Sequence, residues 1–214
     1  MKIHISNSEI MAMEKQTRVN FANSLSGFKS VCLVGTQNKI QQTNLTIISS
    51  LMHIGSNPPL FAMVFRPGVV PRHTLENILE TGFYTINHIN ETIYKQAHQT
   101  SARYDRAISE FDATGLNPEF KDDFFAPFVA ESHVQLAMEF KEKIDLTINN
   151  TVLVIGEVKE VYFPVDCIEK DGFLNIEKSA TITCSGLDSY HKTVLLDRLS
   201  YAKPDKELTS IQIN

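Results

Sequence analysis

Long apolar runs are absent from this sequence. None approaches the ~20 residues that a bilayer-spanning helix needs, and the opening stretch, MKIHISNSEIMAMEKQ, lacks the continuous apolar segment of a signal peptide. A cytoplasmic address with no membrane partner is the expectation. Clustered basic charge is missing too. Acidic residues outnumber basic ones 25 to 20 and the formal charge is −5, so nucleic acid is not an expected partner. Cysteine is sparse. Cys32, Cys167 and Cys184 stand singly with no CxxC spacing, which argues for reduced thiols filling small spaces rather than a disulfide framework. Signature motifs are equally scarce. The seven histidines form no HxxxH, HxH or HExxH pattern, so no metal site is expected. Without GxSxG, GxGxxG or a P-loop, the serine-hydrolase, Rossmann and nucleotide-triphosphatase readings lose their main support.

What is present is an ordinary globular composition, 43% apolar and 21% charged, on a chain long enough for a sizeable core. No repeat, low-complexity tract or composition shift marks a linker, so residues 1–214 read as one domain. Val19, Phe21, Ala22 and Leu25 are spaced as a short amphipathic helix ending at Gly27. SVCLVGT, LTII and LFAMVF read as strands. The Asn-Pro-Pro between the last two cannot be ladder interior, which makes Gly55 to Pro59 a turn. After the loop punctuation of FRPGVVPRH, the stretch TLENILETG predicts a helix with Thr74 as N-cap and Gly82 as its stop. FYTINHI is strand-like, and ETIYKQAHQTSARY returns to helical spacing. The long segment from Asp105 to Phe128 reads as a loop packed by its own phenylalanines, Phe111, Phe120, Phe124, Phe125 and Phe128.

The clearest β signal is SHVQLAMEFKEKIDLTI, whose apolar residues Val134, Leu136, Met138, Phe140, Ile144, Leu146 and Ile148 all fall at even positions. It predicts an antiparallel strand with one wet face. Asn149 and Asn150 then turn the chain into TVLVIGEVKEVYF, where the apolar parity slips and predicts a bulge between Gly156 and Glu160. SATITCSG is a final short strand. Six or seven mostly antiparallel strands with inserted helices, some long and bulged, suggest a closed or nearly closed barrel.

The polar residues near Asn44 to Pro67 hold the candidate chemistry. Arg66, Arg72 and His73 precede the helix at Thr74, and cations beside a helix N-terminus make a phosphate pocket. Glu76 in the first turn competes for the same N–H groups, and a solvent-facing loop is the plain alternative. Asn44, Thr46, Ser49 and Ser50 interleave with Leu45, Ile47 and Ile48; on pattern alone they are the wet face of an edge strand.

A resemblance changes that reading. NLTIISSLMHIGSNPPLFAMVFRP, RHTLENILETGFYTIN, SEFDATGLNP, APFVAESHVQL, VLVIGEVKEVYFP and SGLDSYH, in that order from Gly27 to His191, resemble the flavin reductase-like family of FMN-binding split β-barrels. The resemblance implies an antiparallel, Greek-key-like barrel, mainly β with inserted helices. It also implies FMN held non-covalently at a homodimer interface and reduced by NADH or NADPH. Asn44, Thr46, Ser49 and Ser50 would then be small donors along the polar edge of the flavin, with Arg66, Arg72, His73 and Thr74 near its phosphate. Tyr190 and His191 fall on the family's nicotinamide side, although core packing or a dimer contact explains them equally. Glu131 reads as structural. Hydride transfer between cofactors needs stacking and distance control more than a general base, so no indispensable acid or base is expected.

Two functions of different class remain. One is an NAD(P)H-dependent flavin oxidoreductase that passes electrons to free flavin, an oxygenase or another acceptor. The other is an FMN-binding electron-transfer protein with no NAD(P)H turnover of its own.

Overall fold

Seven strands are hydrogen-bonded into one antiparallel sheet in the computed structural model, which describes residues 1–67, 72–121 and 123–213. In chain order the elements begin with α1 (Asn7–Ala12), α2 (Lys15–Ser24), β1 (Lys29–Ser30), β2 (Cys32–Gln37), β3 (Thr43–Ile48), β4 (Met52–Ser56) and β5 (Pro59–Phe65). The middle holds α3 (His73–Thr81), β6 (Phe83–His88), α4 (Tyr94–Gln99), α5 (Glu110–Thr114), β7 (Pro118–Glu119) and β8 (Phe128–Val129). Two long strands, β9 (Gln135–Leu146) and β10 (Thr151–Tyr162), precede the short β11 (Thr183–Ser185) and β12 (Ser189–His191).

The main sheet runs β3-β2-β6-β9-β10-β5-β4. Its two edge strands are consecutive in the chain. Residues 49–51 alone connect β3 to β4, and a link that short spans at most about 14 Å, so the edges lie close and the sheet has rolled nearly shut. Ser50 fastens the seam: its Oγ accepts from the Val64 N–H (3.1 Å) and donates to the Val64 carbonyl (3.2 Å). This is the split β-barrel, mainly β with inserted helices.

Two core clusters share β2. Cys32 and Val34 face the barrel interior with Met63, Phe65, Ile78, Tyr84, Ile86, Leu136, Met138 and Val154. Leu33 faces outward into a second cluster with Leu45, Ile93, Ala97, Phe111 and Val129, where α4 and α5 cover the sheet. Burial on both faces is why SVCLVGT reads as a continuous apolar run. All three cysteines are buried and unpaired.

The bulge appears as a register shift between Val158 and Glu160, with a second between Ile155 and Gly156. Gly82 ends α3 in the left-handed region (φ +80°), its N–H on the Ile78 carbonyl, a conformation glycine adopts without a Cβ penalty. Other expectations need correction. Gly55 to Pro59 is not all turn: β4 extends through Ser56, Gly55 pairs with Leu60 and Ser56 with Pro59, leaving the bend to Asn57 and Pro58 across a cis bond. Thr74 is not the N-cap of α3; Arg72 holds that position and no side chain caps the helix. The long segment before Phe128 contains α5 and the β7–β8 pair, with Phe111 and Phe128 fully buried but Phe120 half exposed. On β9 the wet face is missing at first, since Gln135 and Ala137 are buried along with Leu136 and Met138; at the far end Ile144 and Leu146 are exposed. The start of β9 is covered by β8, whose Val129 carbonyl accepts from Gln135 Nε2 (2.7 Å), whereas the β9–β10 hairpin runs beyond the packed core. α1, closed by a Ser6/Glu9 capping box, has no counterpart in the expectations. The loop anticipated after Pro67 falls on residues 68–71, outside the described residues.

Burial pulls the His88 imidazole from its ordinary 6.5 down to about 4. The folded state therefore binds fewer protons than the unfolded one between those values, so stability is complete above pH 6.5 and declines as pH falls towards 4. Urea titrations at several pH values check this, and His88→Asn should flatten the slope.

Candidate functional site

Along the free edge of β3 the chain presents its small polar residues, and the structure divides them into supports and candidates for contact. Asn44 is a support. It is buried, its Oδ1 accepts from the hydroxyls of Thr74 (2.6 Å) and Thr36 (3.4 Å), and its Nδ2 donates to Glu110 (2.6 Å). Thr74 is likewise buried with its hydroxyl committed. Glu110 Oε2 also accepts from the Leu45 N–H at 3.0 Å, and Asn77 Nδ2 donates to Thr36 at 3.1 Å. The network clamps four elements to one another: β2 through Thr36, β3, the N-terminal half of α3 and the start of α5.

Leu45 points its N–H away from β2, and by the two-residue alternation of a strand Ile47 does the same. The Thr46 hydroxyl has no partner among the described residues and is half-buried. Ser49 lies near Cys184, whose thiol is pushed up chiefly by burial, with the Lys29 charge and the Ser49 side chain opposing. Ser50 is spent on the seam. Of the four predicted donors, Thr46 and Ser49 therefore line the edge, while Asn44 and Ser50 hold it in place.

The other half of the site is the N-terminus of α3. The first intrahelical bond runs from Glu76 N–H to the Arg72 carbonyl, so the N–H groups before it are uncapped. Glu76, the anticipated competitor, is turned away by an ion pair with Arg106, which also reaches Asn77. Arg72 has its Nε out of solvent contact with no hydrogen-bond partner among the described residues. Arg66 is exposed and His73 half-buried. A buried guanidinium nitrogen without an acceptor, beside free helix N–H groups, is complementary to an anionic oxygen. These residues fit a phosphate monoester, and the adjoining β3 edge fits a flat heterocycle with polar carbonyls.

Tyr190 and His191 lie on the β11–β12 hairpin, where Tyr190 pairs with Cys184. Tyr190 donates to or accepts from His98 Nδ1 at 2.8 Å, and its ring packs against Tyr94. Burial raises its phenol to about 12, so it stays protonated at neutral pH. His191 Nε2 is 2.9 Å from Ser185 Oγ, and its ring meets Phe28 edge-on. Both polar tips are thus engaged within the protomer. A groove of about 480 Å³ between α2 and this hairpin carries hydroxyls, Asn20 and Asp188 but no cation in its lining, so it is no counterpart to the phosphate pocket. Glu131 accepts from the backbone and side chain of Asn117, the structural role read for it. No group of metal-ligating side chains and no helix long and apolar enough to cross a membrane occurs among the described residues.

Glu110 and Thr36 are the residues that spacing did not single out. Thr74 and Asn77 share a helix face three residues apart, a readable signal, but nothing local connects Glu110 to Asn44 across 66 residues. Glu110→Ala leaves the buried Asn44 amide and Leu45 N–H without an acceptor, an expected loss of about 2–3 kcal/mol measurable as a lowered urea midpoint at unchanged slope.

The architecture defines a split-barrel protein. Residues 28–176 match the family model of the flavin reductase like domain, and the chain belongs to that family. It is similar to a split-barrel protein of Shewanella frigidimarina NCIMB 400 assigned as a flavin reductase, with 52% identity over 94% of this chain and 100% of the other and a TM-score of 0.91. It shares its fold with nitrilotriacetate monooxygenase component B of Bacillus cereus, at 19% identity, TM-score 0.81, and 93% and 99% coverage. The flavoredoxin of Desulfovibrio vulgaris (Miyazaki F) is a more distant match, at 21% identity, TM-score 0.69, and 84% and 92% coverage.

Proposed function

We propose that this protein binds FMN along the β3 edge and the α3 N-terminus and acts as an NAD(P)H-dependent flavin oxidoreductase of flavin reductase type. The observation that carries the reading is the Nε of Arg72, without a partner among the described residues, at an uncapped helix start, beside a strand edge that offers the outward Ile47 N–H and the small side chains of Thr46 and Ser49. Bound there, FMN would supply a two-electron centre able to accept hydride from NADH or NADPH and pass electrons to an acceptor, an oxygenase component being one. Arg72, Arg66 and the N–H groups of His73 and Thr74 would hold the phosphate dianion. Thr46, Ser49 and the outward N–H of Ile47 would meet the carbonyl edge of the ring, where negative charge grows on reduction. Asn44, Glu110 and Thr74 would hold these groups at fixed separation.

A homodimer forms part of this proposal. The outer face of the sheet places Ile144, Leu153 and Val64 in one cross-strand row, with Ile155 and Met52 flanking Ala62 in the next. None of them belongs to either core cluster, and such a face calls for a cover.

The electron-transfer reading has one observation in its favour: the polar tips of Tyr190 and His191 are already hydrogen-bonded, so the nicotinamide side is less well marked than the flavin side. A visible spectrum of desalted protein, followed by anaerobic NADH and then NADPH, tests both. Flavin absorbance that bleaches on mixing supports the reductase and names its donor; a spectrum that persists selects the electron-transfer protein. A colourless protein that also fails to consume either donor with added FMN overturns both.

A further inference from the structure

Beyond His191 the chain continues as an arm that the protomer scarcely uses. Of residues 192–213, nineteen are exposed, three are half-buried and none is buried. The arm is nonetheless ordered as a hairpin: Leu199 bridges Ser210 and Lys203 bridges Lys206. The Ser200 N–H donates to the Thr209 carbonyl (2.8 Å) and the Ile211 N–H to the Arg198 carbonyl (2.7 Å). Its root is fixed to the body by Arg198, which pairs with Asp171 and lies 3.9 Å above the Phe173 ring, and by the Leu195 N–H on Glu177. Along the arm the apolar side chains stand in solvent, Leu196 at 97%, Tyr201 at 88% and Val194 at 83% exposure.

An isolated two-stranded hairpin is marginal in water and needs a third strand or an apolar surface to persist. The arm has neither within its own protomer. It lies beyond the matched family domain, which ends at residue 176. We propose that this arm is a clasp that seats on a second copy of the same chain.

Three features select a second copy over a different protein. The chain leaves other apolar surface unpartnered, both on the outer sheet face and in the N-terminal segment, where Ile3 and Met11 are exposed; in a two-fold dimer each arm would cover such surface on its twin, and the arrangement closes on itself. A standard stable interface takes about 20–30 residues a side, and the nineteen exposed arm residues together with the sheet-face residues reach that size. Residues 192–213 carry four cationic and three anionic side chains, so two copies do not repel each other. The inference rests on the proposed homodimer but not on flavin binding, and is tested without flavin.

Two measurements on the full chain decide it. In sedimentation equilibrium, Leu196→Asp combined with Tyr201→Asp should raise the dimer dissociation constant at least tenfold, while the thermal midpoint measured at monomer concentrations stays that of the unaltered chain. Hydrogen exchange of the unaltered chain supplies the check should the variant misfold. The Ser200 and Ile211 amides should exchange at least tenfold more slowly where the protein is dimeric than after dilution to monomer. A monomeric full chain overturns both the dimer and the clasp. A dimer whose affinity ignores the double variant, with arm exchange independent of concentration, overturns the clasp alone.

Discussion

Arg72→Ala is expected to raise the dissociation constant for FMN about 10- to 150-fold while leaving that for riboflavin within about twofold, because a hydrogen bond to a charged group contributes about 1.5–3 kcal/mol and each 1.4 kcal/mol is tenfold. The selectivity is the informative part. Riboflavin has the ring and ribityl chain but no phosphate, so a residue acting on the phosphate alone distinguishes the two ligands. The native Arg72 Nε has no acceptor among the described residues, so its removal breaks no hydrogen bond of that atom to them and the thermal midpoint without ligand should hardly move. Flavin fluorescence titrations with both ligands measure the ratio. Equal weakening for both would mean that Arg72 supports the fold or the ring instead, and no change for either would remove the α3 N-terminus from the site. Raising the salt concentration should weaken FMN binding to the unaltered chain more than to the variant, since screening acts on the lost charge pair.

Gly35→Ala should destabilise the protein by about 3 kcal/mol, the upper part of the range for overpacking a well-packed core. Gly35 lies on β2 between Leu45 of β3 and Thr85 of β6. A methyl group there would run into the Pro127 carbonyl oxygen and the Thr85 hydroxyl, two atoms that already hydrogen-bond each other at 2.6 Å. One of the neighbours is backbone, so the clash cannot be relieved by turning a side chain, and β2 or the segment carrying Pro127 must shift. The cost should appear as a lower urea midpoint at unchanged slope. A displaced β2 also moves Leu45, the partner of Gly35, so flavin binding should weaken with stability and not by itself. A variant as stable as the parent would mean that the strand has room to move, contrary to the close approach seen here.

Much of the architecture was legible because its signals are local. The even-position pattern from Val134 to Ile148 predicts one long strand, the parity slip after Gly156 predicts a bulge, and Gly82 predicts the end of α3; all three follow from backbone periodicity and the freedom of one glycine. The errors share a cause. Thr74 has the side chain of an N-cap, but the structure spends its hydroxyl on Asn44, 30 residues away. β4 was concealed because Met52 to Ser56 pairs as an edge strand, with His53 and Ile54 facing solvent, and an exposed edge imposes no apolar alternation on its sequence. The wet face expected on β9 vanished where β8 covers it.

By itself, then, the sequence determined the long strands, the helices α2, α3 and α4 and, through its ordered motifs, the family; these are properties of residues near one another in the chain. Which small polar residues face a ligand and which merely brace the strand beneath it was decided only by the tertiary structure. Asn44 and Ser50 look no different from Thr46 and Ser49 as a string of letters. A buried hydrogen-bonding group must find a partner, and the partners here, Glu110 and Thr74 for Asn44 and Val64 for Ser50, are brought within reach only when the barrel closes.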